Sequence, residues 1–330
     1  MPAVPSDLTT IEADALAGVG RRAAGPGAGD LARLEAVVGS DGAVLIRDAG
    51  IASAADLQDA ASWFGRAVPG LPEESSPRTR LGEAVWTSTD YPARFPIQFH
   101  NEFSYTASWP RLLLFGCLRP ADEGGETRLA DGREVARLLS PTTRDRFAEG
   151  GLLYERNYSH RSGVTWQDAF GTDDPAAVDA HCRHRGIARR WSGGDLSTRQ
   201  AAPAFETHPA TREELWFNHC LLFHVGGLEP DWLRRTMQRA PAGARASNSY
   251  FGDGEEIPDA LVEEVRAVYE AAAVDVRWRA GDLLVVDNMR CAHGRAPFSG
   301  PREVVVAMVD QWRRAEGRVP QVPEEPGWNR

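Results

Sequence analysis

The stretch DNMRCAHGRAPF, residues 287–298, begins at the last residue of the segment 283–287, whose apolar run predicts a buried β-strand. It places His293 just beyond that strand. Far upstream, the stretch HNE at 100–102 carries His100 and Glu102 on a second predicted strand. Side chains two residues apart on a strand point to the same face, so we expect these two to bind one ion together. Two imidazoles and one carboxylate leave open positions on an octahedral iron(II), as in non-haem oxygenases.

The predicted elements around these stretches are short strands, with helices grouped outside them. This order favours a mainly β fold with flanking helices, a β-sandwich or jelly roll, over alternating βαβ units. We predict strands at 43–47, 96–100, 112–118, 126–129, 215–223, 276–278, 283–287 and 304–309, and helices at 31–38, 53–64, 131–139 and 257–273.

The remaining segments suggest one domain with an arm and two long polar excursions. Residues 1–30 are rich in Ala, Gly and Pro and predict a flexible N-terminal arm, followed by a single domain at 31–330. Turn residues dominate 69–96, which predicts a lid loop. The polar, arginine-rich stretch 157–205 is predicted to be an insertion.

Composition excludes several classes of chemistry. The 330 residues carry a formal charge of −10, with 42% hydrophobic and 25% charged residues, which is ordinary globular composition. The acidic balance argues against nucleic acid or an anionic membrane as a partner. All 37 basic residues other than histidine are arginines. Without lysine the chain has neither a Schiff-base amine nor the lysine of a P-loop.

The first residues, the apolar runs and the cysteines indicate the cellular compartment and argue against a zinc site. The first residues lack the basic-then-apolar order of a secretory signal, and no apolar run is long enough for a membrane helix, so we expect a cytoplasmic protein. The four cysteines share no CxxC spacing and are predicted to be free thiols. Cys182 lies in HCRH, but a second ligand pair is missing there, which argues against a zinc site.

Two further features accompany the predicted metal ligands. Thr127 follows a tight turn in DEGGET, residues 122–127. Arg302 opens the last apolar strand, where a guanidinium could pair with a carboxylate through two parallel hydrogen bonds.

In the order HxE, GGET, DNxRxxHGRxPF and a final arginine before a strand, the chain resembles the taurine dioxygenase and clavaminate synthase superfamily. The stretch HNEFSY at 100–105 and WFN at 216–218 are similar to the hydroxylases of syringomycin-type biosynthesis. The resemblance covers roughly residues 43–309. It implies a double-stranded β-helix, the jelly roll of these enzymes.

The resemblance also implies a set of ligands and an activity. It implies Fe(II) held by His100, Glu102 and His293, and 2-oxoglutarate held by Arg302 and Thr127. With O2, the iron and its co-substrate would oxidise a C–H bond of a small substrate. Related halogenases lack the carboxylate ligand, so Glu102 favours hydroxylation, while desaturation, cyclisation or epoxidation stay open.

The substrate is less well defined by the sequence. The narrower resemblance suggests an amino acid, free or presented on a carrier protein, in a specialised pathway such as antibiotic biosynthesis. Asn288 and Arg295 are predicted to brace the site without touching the metal. A non-catalytic jelly-roll regulator and a zinc hydrolase are the alternatives from other classes, and the sequence leaves homo-oligomerisation open. The candidate substrate contacts are Tyr105, Arg156, Asn157, Tyr158, Asn218 and His219.

Overall fold

A computed structural model describes residues 8–16, 25–68, 70, 72–76, 78–159, 164–314, 320–324 and 326–329. Within these ranges no helix is long and apolar enough to cross a membrane. The strands are β1 (Thr10–Glu12), β2 (Ala43–Ile51), β3 (Val85–Thr87), β4 (Ile97–His100), β5 (Ser108–Arg119), β6 (Glu123–Gly124), β7 (Thr127–Asp131), β8 (Leu152–Tyr158), β9 (Ala188–Ser192), β10 (Asp195–Ala202), β11 (Phe205–Thr207), β12 (Glu214–Trp216), β13 (Ser247–Phe251), β14 (Ala273–Val276), β15 (Gly281–Asp287), β16 (Cys291–Arg295), β17 (Phe298–Ser299) and β18 (Glu303–Arg313). The α-helices are α1 (Ala28–Asp41), α2 (Ala54–Phe64), α3 (Gly132–Leu138), α4 (Pro141–Gly150), α5 (Trp166–Phe170), α6 (Pro175–Arg185), α7 (Cys220–Phe223), α8 (Asp231–Arg239) and α9 (Asp259–Ala272).

Two sheets form the jelly-roll core. The larger has six strands in the order β1-β2-β15-β5-β18-β3, and the smaller has four in the order β14-β7-β16-β4. Buried residues of both sheets, Phe115 and Met308 from the larger and Phe99 and Leu129 from the smaller, belong to one hydrophobic cluster. The sheets therefore pack face to face, and the smaller sheet carries both predicted histidine ligands.

Strand β15 shows why the larger sheet is apolar on both faces. Leu284 and Val286 belong to the cluster between the sheets. Leu283 and Val285 point to the other side and join a second cluster with residues of α1 and α2. Successive side chains on a strand alternate between faces, so a continuous apolar run is expected where both faces are covered.

The segment 157–205 is more than the insertion that the sequence suggested. It supplies β9 and β10, which join β8 and β13 in a third sheet of order β13-β8-β10-β9. Its helices α5 and α6 pack on a small core of their own that includes Tyr158, Trp166 and Cys182. These short elements bury few apolar residues each, so they leave little periodic signal.

Three other predictions need correction. Residues 10–12 of the predicted arm form β1, which pairs in parallel with β2. The strand predicted at 215–223 is instead β12 followed by the single-turn helix α7. The predicted lid loop 69–96 contains the short strand β3, which pairs with β18.

Candidate metal centre

His100, Glu102 and His293 meet at the edge of the smaller sheet. His293 lies on β16 directly opposite His100, the last residue of β4. Glu102 is not on that strand, as the sequence suggested, because the chain turns after His100 and Phe103 takes a positive φ of 56°. This turn, rather than the pleat of a strand, brings the carboxylate back to the two imidazoles. All three side chains are buried.

The geometry of the three side chains fits a metal ion. Glu102 Oε2 lies 3.9 Å from His100 Nε2 and 3.9 Å from His293 Nε2. One ligand atom from each residue lies within 4.8 Å of the others. His100 Nδ1 is 2.9 Å from the carbonyl oxygen of Gln98. Because that oxygen can only accept, Nδ1 carries the proton and Nε2 keeps its lone pair for a metal.

Electrostatics keep both imidazoles in the form that binds metal. Burial lowers the pKa of His100 and holds the pKa of His293 well below its usual range. Neutral histidine is the metal ligand, so no proton has to be displaced near neutral pH.

Asn288 fixes the turn that carries Glu102. Its Oδ1 accepts from the Glu102 backbone N–H at 2.7 Å. Its Nδ2 donates to the Glu102 carbonyl at 2.9 Å and to the Pro110 carbonyl at 3.0 Å. A fully buried amide with three short bonds holds the ligand turn against β5.

Arg302 and Thr127 lie beside the three ligand candidates and line the same pocket. The hydrogen bonds of Arg302 in the described part of the chain go to uncharged oxygens, from Nε to Gly125 carbonyl at 2.9 Å and from Nη1 to Ser88 Oγ at 3.3 Å. Burial lowers its pKa to about 10, and the neighbouring Arg295 acts in the same direction. A largely buried cation of this kind favours an anionic ligand. Thr127 Oγ1 accepts from Trp278 Nε1 at 3.1 Å.

Arg295 braces the approach to the pocket. Its guanidinium donates to three carbonyls of the predicted lid loop, those of Tyr91 at 3.2 Å and of Pro92 and Phe95 at 3.0 Å each. These contacts tie the loop before β4 to the strand that carries His293.

Arg78 is a site residue that the sequence analysis missed. Its Nη2 donates to Glu102 Oε2 at 2.7 Å, and its side chain is 6% exposed. It lies in the predicted lid loop, 24 residues before Glu102, where no periodicity indicates its position. Only the fold brings it to the ligands.

A cavity of about 310 Å³ adjoins the metal pocket, and the two share Thr89 and Ile97 among their lining residues. Arg156, Asn157 and Tyr158 line it, on the end of β8. Its wall is largely formed by the predicted lid loop on one side and by residues 222–229 on the other.

The other predicted substrate residues do not line this cavity. Tyr105 donates its hydroxyl to the Glu73 carbonyl at 2.7 Å. The side-chain amide of Asn218 hydrogen-bonds to the backbone, because Nδ2 donates to the Ala204 carbonyl and Oδ1 accepts from the Cys220 N–H. These two residues brace the site.

His219 packs against the candidate ligand His100. Its ring centroid lies 4.9 Å from that of His100, and its Nδ1 lies 2.8 Å from Ser104 Oγ. Its Nε2 is buried without a hydrogen-bond partner among the described residues. Burial holds its pKa well below the usual range, and the nearby His100 and His293 act in the same direction.

Sequence comparison matches this chain to known proteins over most of its length. The profile of the family described as taurine catabolism dioxygenase TauD, TfdA family matches residues 10–308. The dapdiamide synthesis protein DdaC of Enterobacter agglomerans is 32% identical over 278 residues, 84% of each chain. A clavaminate synthase-like protein of Arabidopsis thaliana is 28% identical over 286 residues, 83% of each chain.

Structural comparison agrees on the fold. The PvcB protein of Pseudomonas aeruginosa superposes with a TM-score of 0.51 at 18% identity, over 91% of this chain and 84% of that one. An asparagine oxygenase crystallised with Fe(II), hydroxyasparagine and succinate gives 0.51 at 18% identity, over 85% and 77%. At these identities the likeness is one of fold.

Proposed function

The chain belongs to the TauD/TfdA family of dioxygenases, and on that premise we propose that it hydroxylates a C–H bond of an amino acid or amino-acid derivative. It is an iron(II)- and 2-oxoglutarate-dependent oxidoreductase. The observation that carries the proposal is the buried group His100, Glu102 and His293, with Arg302 in the same pocket. Among the described residues, Arg302 donates hydrogen bonds to uncharged oxygens.

His100, Glu102 and His293 hold the iron. Their two imidazole nitrogens and one carboxylate oxygen match the donor set of non-haem iron oxygenases. When bound, the iron with 2-oxoglutarate and O2 supplies the oxidation, and 2-oxoglutarate leaves as succinate and CO2. Asn288 keeps Glu102 in place through hydrogen bonds to both its backbone N–H and its carbonyl.

Arg302 binds the distal carboxylate of 2-oxoglutarate, with the Thr127 hydroxyl as a second contact. The guanidinium lies in the pocket of the ligand candidates, and it has no charged hydrogen-bond partner within the part of the chain that the structure describes. A dicarboxylate reaching from the metal to Arg302 would supply that partner.

The primary substrate occupies the adjoining cavity of about 310 Å³. Arg156, Asn157 and Tyr158 form part of its wall, and His219 Nε2 is an unused polar atom beside His100. The retained carboxylate Glu102 favours hydroxylation over halogenation. The relative named for dapdiamide synthesis supports a role in specialised metabolism, antibiotic biosynthesis included. The narrower likeness to syringomycin-type hydroxylases and a cytoplasmic location stay predictions.

The segments 69–96 and 157–205 act as a lid that excludes water and holds the substrate. Glu73 joins them. Its carboxylate lies 3.3 Å from Arg156 Nη2 and 2.9 Å from His181 Nε2 on α6. Its carbonyl accepts from Arg156 Nη1 at 2.8 Å and from Tyr105. This buried cluster supports a lid whose two parts move together.

Succinate release separates this function from its alternatives. We expect O2-dependent conversion of 2-oxoglutarate to succinate that requires Fe(II) and is stimulated by one class within a panel of free and carrier-bound amino acids. A zinc hydrolase would be indifferent to O2 and 2-oxoglutarate, and a non-catalytic regulator would release no succinate. Either result would overturn the proposal.

A further inference from the structure

Arg78 carries more hydrogen-bonding capacity than the protein uses. Its side chain is 6% exposed and lies in the metal pocket. One nitrogen, Nη2, donates to Glu102 Oε2 at 2.7 Å. The other two, Nε and Nη1, are buried with no hydrogen-bond partner in the described part of the chain. An arginine has five N–H donors, so most of this guanidinium is unsatisfied.

A buried guanidinium with unpaired donors destabilises the protein, and Glu102 alone does not pair all of them. Leaving a buried charged donor unpaired costs the full desolvation penalty of that group. The oxygen that Arg78 contacts is the same one that lies 3.9 Å from both histidine nitrogens, so a metal bound there would share it. The free donors call for a second acceptor, and a carboxylate is the strongest available.

The position of Arg78 indicates which ligand supplies this carboxylate. In the proposed function Arg302 provides the guanidinium for 2-oxoglutarate, with Thr127 in the same pocket. Arg78 is also electrostatically coupled to Glu74, whose side chain lines the large cavity. Arg78 lines the metal pocket, and that pocket shares Thr89 and Ile97 with the substrate cavity.

We propose that Arg78 binds the carboxylate of the primary substrate at the edge of the iron pocket, which makes the substrate a free amino acid or derivative with an unblocked carboxylate. The inference rests on the proposed function and narrows it. An amino acid tethered to a carrier protein through a thioester has no such carboxylate, so the carrier-bound alternative is disfavoured.

The test is a four-way binding cycle on the anaerobic Fe(II)–2-oxoglutarate enzyme. The probes are the proteinogenic L-amino acids, each compared with its α-carboxamide. Binding is read from the change in the visible charge-transfer band of the iron–2-oxoglutarate complex, so no turnover is needed. The proteins are the wild type, Arg78→Gln, Arg78→Lys and, as a matched control, Arg94→Gln. Arg94 is an exposed arginine of the same loop.

We expect wild type to bind at least one free acid about ten- to a hundredfold more tightly than its amide, the range for a hydrogen bond to a charged group. This preference should shrink to less than about threefold in Arg78→Gln and persist in Arg94→Gln. Arg78→Lys keeps a cation beside Glu102, so it should hold iron and 2-oxoglutarate while losing most of the preference.

Several results would overturn the assignment. They are equal binding of acid and amide by wild type, binding of no acid at all, and full discrimination by both Arg78 variants. Arg78→Lys could instead lose the charge-transfer band of the iron–2-oxoglutarate complex. If excess 2-oxoglutarate restored the band and the variant still preferred the free acid, Arg78 would be assigned to the co-substrate. The proposed function fails separately, through absence of the band or of succinate in wild type.

Discussion

Replacement of Arg302 by alanine should weaken 2-oxoglutarate binding by more than about a hundredfold. Within the described residues Arg302 donates to the Gly125 carbonyl and to Ser88, so its removal leaves no acidic side chain there newly unpaired. In the complex, the distal carboxylate of 2-oxoglutarate would be left in a buried pocket without its counter-charge. Breaking such a pair costs about 3–5 kcal/mol. The hydroxyls of Thr127 and Ser88 remain, which favours the lower end, and about 3 kcal/mol is already more than a hundredfold in affinity.

The assay is the half-saturation of succinate release by 2-oxoglutarate at fixed Fe(II) and substrate, backed by anaerobic titration of the charge-transfer band. Arg302→Lys keeps the charge but loses the planar fork, so it should fall between alanine and wild type. Arg119→Ala removes an exposed arginine at the end of β5 and should change nothing. An unchanged half-saturation in Arg302→Ala would refute this account and move the role elsewhere, with Arg295 the first candidate.

Four further outcomes are expected. His100→Ala should lose oxidation and most metal uptake by elemental analysis; full metal content with normal turnover would show that His100 is not a ligand. Asn288→Ala should cost about 2–4 kcal/mol in denaturant unfolding, because three buried hydrogen bonds are lost, whereas the exposed Asn329→Ala should cost nothing measurable. Burial lowers the pKa of His224 to about 4, against about 6.5 when unfolded. Between these pH values the unfolded chain binds a proton that the folded chain does not, so the free energy of unfolding should fall by about 3 kcal/mol as the pH decreases from about 6.5 towards 4. His224→Gln should flatten that slope and the exposed His184→Gln should not; equal slopes would contradict the assignment. Glu73→Gln should increase hydrogen exchange in both lid segments of the anaerobic complex, and substrate should increase protection there in wild type; no protection in either segment, with binding verified independently, would rule out the lid.

The β core was predictable because burial on both faces leaves a direct trace in the sequence. Residues 283–286 of β15 and 304–309 of β18 are all apolar, because one face of each strand packs between the two sheets and the other face packs against helices. The helix predicted at 257–273 is α9 at Asp259–Ala272, with Val262, Val265 and Tyr269 buried along one face.

Elements stabilised mainly by distant contacts were harder to predict. Strand β10 lies within 157–205, yet it pairs with β8 from Leu196 to Ala202. Its sequence DLSTRQAA has few apolar residues. The helix α7 is a single turn of apolar residues, CLLF, which periodicity cannot distinguish from a strand.

The residues of the candidate site also fall into those that the sequence indicated and those that only the folded structure reveals. The spacing of His100, Glu102 and His293 indicated which residues meet, although the reason given for the first two was wrong, since a turn and not a strand brings them together. Arg78 could not have been found, because its approach to Glu102 is a tertiary contact across 24 residues that leaves no periodic pattern in the sequence. The polar contacts of Asn218 are likewise invisible until the backbone around it is known.

The central claim, that this chain is an iron(II)- and 2-oxoglutarate-dependent dioxygenase using His100, Glu102 and His293, is tested most directly by anaerobic titration of the metal-free protein with Fe(II) in the presence of 2-oxoglutarate. The account predicts a visible charge-transfer band that saturates at one iron per chain, requires 2-oxoglutarate, is absent in His100→Ala and decays on exposure to O2 as succinate forms. A protein that binds no iron, or that binds it equally well in His100→Ala, or whose band is indifferent to 2-oxoglutarate, would contradict it.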